Sequence, residues 1–247
     1  MNARHAKILN IIGDRKKISV TELSEILNVS EVTMRKDLSL LEKDNLLRRS
    51  HGFAAIMETD DVGSRLAFNY ETKKLIAQKA LGIVEDGETI MIESGSCCAS
   101  LAEEIVTNRR DVTIITNSVF IASFIRKKIG AHIILLGGDF QNESQVMVGP
   151  LVKKCAQNFF VDKFFCGTDG FNDFGAMSGD LMRAEAVRNM AEVANRTIIL
   201  TESKKFSQLG VVNLLPYEKI SAIYTDNKIE NSALKNLQDK NVEVITC

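Results

Sequence analysis

From about residue 89 onward, short apolar runs alternate with stretches of helical period, and few folds accept that rhythm. The runs are Thr89–Ile92, Val112–Ile115, His132–Leu136, Lys163–Cys166, Thr197–Leu200, Ala222–Thr225 and Val242–Ile245. Helical spacing fills most of the intervals, at Ala99–Val106, Val119–Lys128, Pro150–Asn158, Met182–Ala194 and Ser232–Asp239. Strands alternating with helices predict βαβ units and an α/β domain with a mostly parallel sheet. Ile133-Ile134-Leu135-Leu136 is apolar throughout, which predicts a strand buried on both faces.

In open parallel sheets, ligands bind beyond the carboxyl ends of the strands. Polar and glycine residues gather there in this chain. Glu93-Ser94-Gly95-Ser96 follows the first run, Thr116-Asn117-Ser118 the second and Gly137-Gly138-Asp139 the third. Gly167-Thr168-Asp169-Gly170 follows the fourth, and Thr201-Glu202-Ser203-Lys204-Lys205 the fifth. Ser94, Gly95 and Ser96 at a helix N-terminus form a ready anion site, to which Lys205 adds a cation. Glu93, Asn117, Asp169 and Glu185 suit sugar hydroxyls. A phosphorylated sugar or polyol satisfies both groups. Each feature also has a plainer explanation. Gly137-Gly138 is an ordinary turn sequence, Ser96 is a helix cap, and Glu202-Ser203-Lys204 is a solvated loop. Their convergence on one rim favours a pocket.

The first 56 residues have another character. Ile8, Leu9, Ile11 and Ile12 recur at helical spacing, and Ile18-Ser19-Val20 is short and β-like. Thr21 is the expected cap of a second helix with Leu23, Ile26 and Leu27 as its apolar stripe. After the turn at Asn28-Val29, Ser30 caps a third helix, Glu31 to about Lys43, with Val32, Met34, Leu38 and Leu41 facing inward. Thr33, Arg35 and Lys36 then lie on its exposed first turns, as insertion into a DNA major groove requires. Leu46-Leu47-Arg48-Arg49-Ser50-His51-Gly52 suits a β-wing gripping the phosphate backbone. The DNA-contact candidates are therefore Thr21, Ser30, Thr33, Arg35, Lys36, Arg48, Arg49 and His51. Residues 57–72 read as a connector, with a helical pattern beginning near Lys73. The expected division is 1–56, 57–72 and 73–247.

Charge supports that division. Residues 1–56 hold ten Lys/Arg against seven Asp/Glu, although the whole chain of 247 residues has a net charge of −1. No apolar run approaches the roughly 20 residues of a membrane span. The start, Met1-Asn2-Ala3-Arg4-His5, has no apolar signal core. Cys97, Cys98, Cys155, Cys166 and Cys247 show neither a disulfide framework nor zinc-finger spacing, which fits a reducing cytoplasm and no dedicated metal or cofactor. Cys97 and Cys98 beside the anion loop lack an identifiable base, so buried inert thiols are the simpler expectation.

The head resembles the winged helix-turn-helix of the DeoR family of bacterial transcription regulators. The matching residues are Thr21-Glu22-Leu23-Ser24, Val29-Ser30, Thr33 to Leu38, Leu41-Glu42 and Arg48 to Gly52. Glu93 to Ser96, Thr116 to Ser118, Leu136 to Gly138, Gly167 to Gly170, Glu185 and Lys205-Phe206 resemble that family's sensor domain, which is similar in fold to ribose-5-phosphate isomerases and glucosamine-6-phosphate deaminases. Phe53, Glu93, Cys97, Glu202 and Lys204 depart from the usual family residues. The resemblance implies a small winged helix-turn-helix domain followed by an isomerase-like α/β domain. It implies a repressor of carbohydrate uptake and catabolism genes, bound to double-stranded operator DNA and released by a sugar phosphate. A single head contacts few bases, so a dimer or higher oligomer such as a tetramer is expected. The residues alone equally permit an activator; the rival reading is a sugar-phosphate isomerase or deaminase with an appended head, and a constitutive architectural DNA binder is a weaker third.

Overall fold

The computed structural model describes residues 3–44, 46–50, 52–55, 61–128 and 131–247. His51 and residues 57–60 of the expected connector lie outside that set. The chain divides into two compact units, Met1–Thr72 and Lys73–Cys247.

The first unit begins with α1 (Ala3–Arg15), β1 (Lys17–Ser19), α2 (Val20–Ile26) and α3 (Glu31–Lys43). Then come β2 (Arg48–Ser50), β3 (Phe53–Ala55) and α4 (Val62–Ala67). Ile8, Leu9 and Ile12 of α1, Leu23 of α2 and Met34, Leu38 and Leu41 of α3 are fully buried. Ser19, not Thr21, caps α2, its hydroxyl accepting from the Glu22 N–H at 3.1 Å. The shift has a tertiary cause. Ser19 pairs with Phe53 in the wing sheet, and the Val20 N–H donates to the Gly52 carbonyl, so the helix starts as soon as the strand ends. Asn28 takes the left-handed turn conformation, and Ser30 caps α3 by accepting from the Thr33 N–H at 3.2 Å.

Val32 departs from expectation: it is 65% exposed. Met34, Leu38 and Leu41 define the inner face, and two residues rotate a helix by about 200°, which puts Val32 opposite Met34. The wing is an antiparallel sheet of order β1-β3-β2. Gly52 (φ 82°) supplies its left-handed residue, while Phe53 is an ordinary strand residue with the Lys17 ammonium 4.5 Å from its ring centroid. The described part of the connector is also ordered. Asp61 caps α4, whose Val62, Leu66 and Ala67 are buried, and α5 (Tyr70–Leu81) follows.

The second unit carries the sheet predicted from the apolar runs. Its strands are β4 (Thr89–Ile92), β5 (Val112–Thr116), β6 (Ala131–Leu135), β9 (Val161–Cys166), β12 (Ala194–Leu200), β14 (Ala222–Thr225) and β15 (Glu243–Thr246). The order is β15-β14-β12-β9-β4-β5-β6, and every neighbouring pair is parallel. Helices α6 (Ser96–Asn108), α7 (Val119–Ile125), α8 (Pro150–Ala156), α9 (Leu181–Ala191) and α10 (Asn231–Asp239) lie between strands. Register aligns Met91 with Ile115 and Phe164, and Ile199 with Cys166 and Ile223. These rows form one apolar core with Val152 of α8, Ala184, Val187 and Met190 of α9, and Leu237 of α10.

β6 is an edge strand, so Ile133 and Ile134 are half-buried and Leu135 is exposed, not covered on both faces as expected. Two small sheets had no expectation: a hairpin of β7 (Asp139–Gln141) and β8 (Val146–Val148), and the antiparallel β10 (Gly170–Asn172), β11 (Gly175–Ser178) and β13 (Val212–Pro216). Gly175 is required there, because a Cβ would meet the Leu215 carbonyl oxygen at 2.1 Å.

Asp37 locks α3 to α1. Its carboxylate accepts from Arg4 Nε at 2.5 Å and lies 3.2 Å from His5 Nε2. Burial by itself raises this carboxyl, but hydrogen bonds and charge from Arg4 and His5 outweigh it and hold it below its ordinary 3.8. A depressed folded pKa stabilises fully above the ordinary value and loses that stabilisation as pH falls through the folded one. The protection of α1 and α3 amides against exchange in the full chain, taken relative to the intrinsic rate at each pH, therefore falls below about pH 4. Asp37→Asn flattens this acid dependence and costs roughly 1–3 kcal/mol at pH 7.

Candidate functional site

The outward stripe of α3 consists of Val32, Arg35, Lys36, Ser39, Leu40 and Lys43, all exposed. Its charges are not equivalent. Arg35 donates to Glu31 at 2.9 Å, and Glu31 also accepts the Thr21 hydroxyl at 2.6 Å. Together, Thr21 first and Arg35 second, they hold the Glu31 carboxyl below its usual range. Arg49 reaches back from the wing to Glu42, its Nε and backbone N–H donating at 2.8 and 2.9 Å. Thr21 and Arg49 therefore position α3 and the wing. Lys36, Lys43 and Arg48 are exposed and have no ion pair among the described residues. Ser30 is occupied as the cap of α3, with its hydroxyl 2.9 Å from that of Thr33.

In the second unit the order of strands reverses between β4 and β9: β5 and β6 extend one way, β12, β14 and β15 the other. This switch point is where an open parallel sheet parts into a crevice. Glu93, at the end of β4, spans it. Its Oε2 accepts the Gly95 N–H at 2.8 Å and the Gly167 N–H at 3.1 Å, while Oε1 accepts the Ser94 hydroxyl at 2.6 Å. The two loops touch, since a Cβ on Gly95 would lie 3.2 Å from Gly167 Cα. Glu93 thus ties together the loops after β4 and β9, with both carboxylate oxygens engaged by the protein's own donors. Gly95 itself caps α6, and Ser96, expected as the cap, is the first helical residue with its side chain half-buried.

Other rim residues divide by what already binds them. The Thr116 hydroxyl accepts the Ser118 N–H, and Ser118 caps α7. Asn117 donates to the Met147 carbonyl at 3.0 Å, which fixes its amide orientation, and its buried Oδ1 has no hydrogen-bond partner among the described residues. Gly138 is dictated by packing, since a Cβ would sit 2.6 Å from the Val148 carbonyl oxygen; Gly137 is under no such pressure. Asp169 Oδ2 accepts the Gly179 N–H at 2.8 Å. Glu185 is exposed on α9, and Lys205 is half-buried in the 3-10 turn Ser203–Ser207.

Residues not anticipated from sequence complete the rim. Lys73 of α5 is 2% exposed and pairs with Glu202 at 3.0 Å, so the segment after β12 is not a solvated loop. Lys204 pairs with the other Glu202 oxygen at 3.2 Å. Burial pushes the Lys73 ammonium down, against the opposing charge of Glu202. Asp226, after β14, accepts the Ser203 N–H and hydroxyl at 2.7 and 2.8 Å. The Cys97 thiol is pushed up to about 12 by burial, and Cys98 and Cys166 are also raised by burial, so none supplies a thiolate at neutral pH. A separate cavity of about 420 Å³ shares the 203–207 turn and is lined by Phe171, Lys204, Phe206, Tyr217, Lys228 and Asn236 among others, but by none of the twelve expected effector residues. No three of the described His, Cys, Asp and Glu residues are grouped to hold a metal.

A winged helix-turn-helix joined to a parallel α/β unit with a switch-point crevice defines a class: a transcription regulator that binds DNA. The chain matches the DeoR-like helix-turn-helix domain over residues 4–60 and the DeoR C terminal sensor domain over residues 68–227. It belongs to the DeoR family. It is 29% identical to the HTH-type transcriptional regulator GolR of Listeria innocua, over 98% of this chain and 96% of that one. It is 28% identical to a putative aga operon transcriptional repressor of Escherichia coli O157:H7, over 98% and 92%. The ribose 5-phosphate isomerase A of Methanocaldococcus jannaschii aligns at TM-score 0.41 and 19% identity, over 56% of this chain and 55% of that one. No helix among the described residues is long and apolar enough to cross a membrane.

Removing the Glu93 carboxylate strands three donors. Glu93→Ala is expected to lower the urea-unfolding free energy by about 1–3 kcal/mol. Glu185→Ala, at an exposed position, stays within about 0.5 kcal/mol. Equal effects would contradict the positioning role of Glu93.

Proposed function

We propose that this chain is a cytoplasmic repressor of carbohydrate uptake and catabolism genes, released from its operator by a phosphorylated sugar or polyol. The observation that carries the proposal is the α6 N-terminus at the switch point, capped by Gly95 with no side-chain cap bond, in a unit that also buries the Lys73–Glu202 pair. A helix N-terminus favours a phosphate. The unpartnered Asn117 Oδ1 accepts a donor, as a polyol hydroxyl provides. Relatives named for the aga operon and for the lactose phosphotransferase system support a carbohydrate role. No cofactor or metal enters this scheme.

DNA contacts come from Lys36 and Arg48 to phosphate, with Arg35 and Thr33 toward base edges. Arg35 keeps guanidinium donors beyond the one given to Glu31. Two heads in a homodimer or tetramer span two half-sites. Ligand favours a conformation whose heads no longer match that spacing, so ligand and DNA weaken each other. The enzyme alternative is disfavoured, because Glu93 and Asp169 already accept backbone N–H groups and Glu185 is exposed.

Fluorescence anisotropy on DNA from upstream of the gene, against a panel of sugar phosphates, tests this. One phosphate should abolish tight, salt-sensitive binding. Lys36→Ala and Arg48→Ala should each weaken binding and lower the log–log salt slope by about 1. Binding indifferent to every phosphate, or turnover of pentose or hexosamine phosphates by the protein, would overturn the proposal.

A further inference from the structure

Val32 has no structural duty where it stands. It lies on the first turn of α3, 65% exposed, while Met34, Leu38 and Leu41 make the inner face. A lone exposed valine on a protein surface is unremarkable in itself. Its neighbours give it meaning. Arg35 and Lys36 stand three and four residues further along, on the same outward stripe. Ser30 and Thr33 tie off the helix start on either side. A helix that enters the major groove presents the residues of its first turns to the base edges. The outward neighbours Ser30, Glu31, Thr33, Arg35 and Lys36 all carry hydrogen-bonding side chains, and Val32 is the exposed apolar side chain among them.

That difference selects among bases. Opposite an amino group of adenine or cytosine, or the acceptors of guanine, a valine displaces water and returns no hydrogen bond. Thymine is the only base that presents a methyl group in the major groove. A β-branched side chain in a helix is also held almost entirely in one rotamer, so the two methyls of Val32 have a fixed direction. We propose that Val32 reads a thymine C5-methyl in each operator half-site and sets a T·A preference at one base pair. The proposal rests on α3 being the helix that enters the groove.

The test uses the full-length protein and duplexes it selects from a random library. Each thymine of the half-site is replaced in turn by deoxyuridine, which deletes only the methyl. Wild type should lose about three- to fivefold in affinity at one position per half-site, the worth of one buried methyl. In Val32→Ala that position should become indifferent to the methyl, while other thymines behave as in wild type. Replacing the sensitive T·A by C·G should weaken wild type, and 5-methylcytosine there should recover part of the loss. Val32 is exposed and alanine is a better helix former, so the thermal midpoint of the variant should not fall. Tight binding with no methyl-sensitive thymine, or the same sensitivity in Val32→Ala, overturns the proposal and leaves the repressor reading intact. Failure to select any duplex overturns both.

Discussion

One carboxylate holds the sensor unit open at its most important place. β4 and β9 are neighbours in the sheet, yet the chain leaves them in opposite directions, and the gap between their ends needs a bridge. Glu93 supplies it by accepting N–H groups from the loops after both strands. The close approach of Gly95 to Gly167 follows, and with it the position of the first turn of α6. Lys73 and Glu202 form a second link, from α5 to the turn after β12. A buried ion pair of this kind gives little net stability, because desolvation offsets attraction. Its value lies in fixing the turn after β12 against α5.

The head relies on a similar economy of charge. Asp37 joins α3 to α1, Glu31 joins it to Thr21, and Glu42 joins it to the wing through Arg49. Three acids therefore fix one helix from three sides. Several basic residues that look alike in sequence are consumed by these acids. Lys36, Lys43 and Arg48 stay exposed and outside any ion pair among the described residues.

Much of the fold was legible in the sequence. All seven strands of the main sheet announced themselves as apolar runs, because a strand covered by helices has little room for polar residues. Ser30 was legible because a cap is a local event. The failures were non-local. β1 pairs with a strand more than 30 residues away, and that pairing moved the cap of α2 from Thr21 to Ser19. Nothing in Ile133–Leu136 reveals that its strand lies at an edge. β10 and β11 are three and four residues long and carry glycine and polar side chains, so they read as loops, while β13 is a short apolar stretch that ends in proline.

The candidate site was legible as a place more than as a set of roles. Polar residues at strand ends marked the rim, but Glu93, Thr116 and Ser118 spend their oxygens on the protein's own backbone. Lys73, in a Lys-Lys pair on a helix, looks like a solvated residue until Glu202 is placed beside it. The central claim is that the switch-point crevice and the DNA face are thermodynamically linked. The most direct measurement is the affinity of the releasing sugar phosphate for free protein and for protein saturated with operator. The account predicts weaker ligand binding on DNA, by the same factor by which ligand weakens DNA binding. Equal ligand affinity in both states would contradict it.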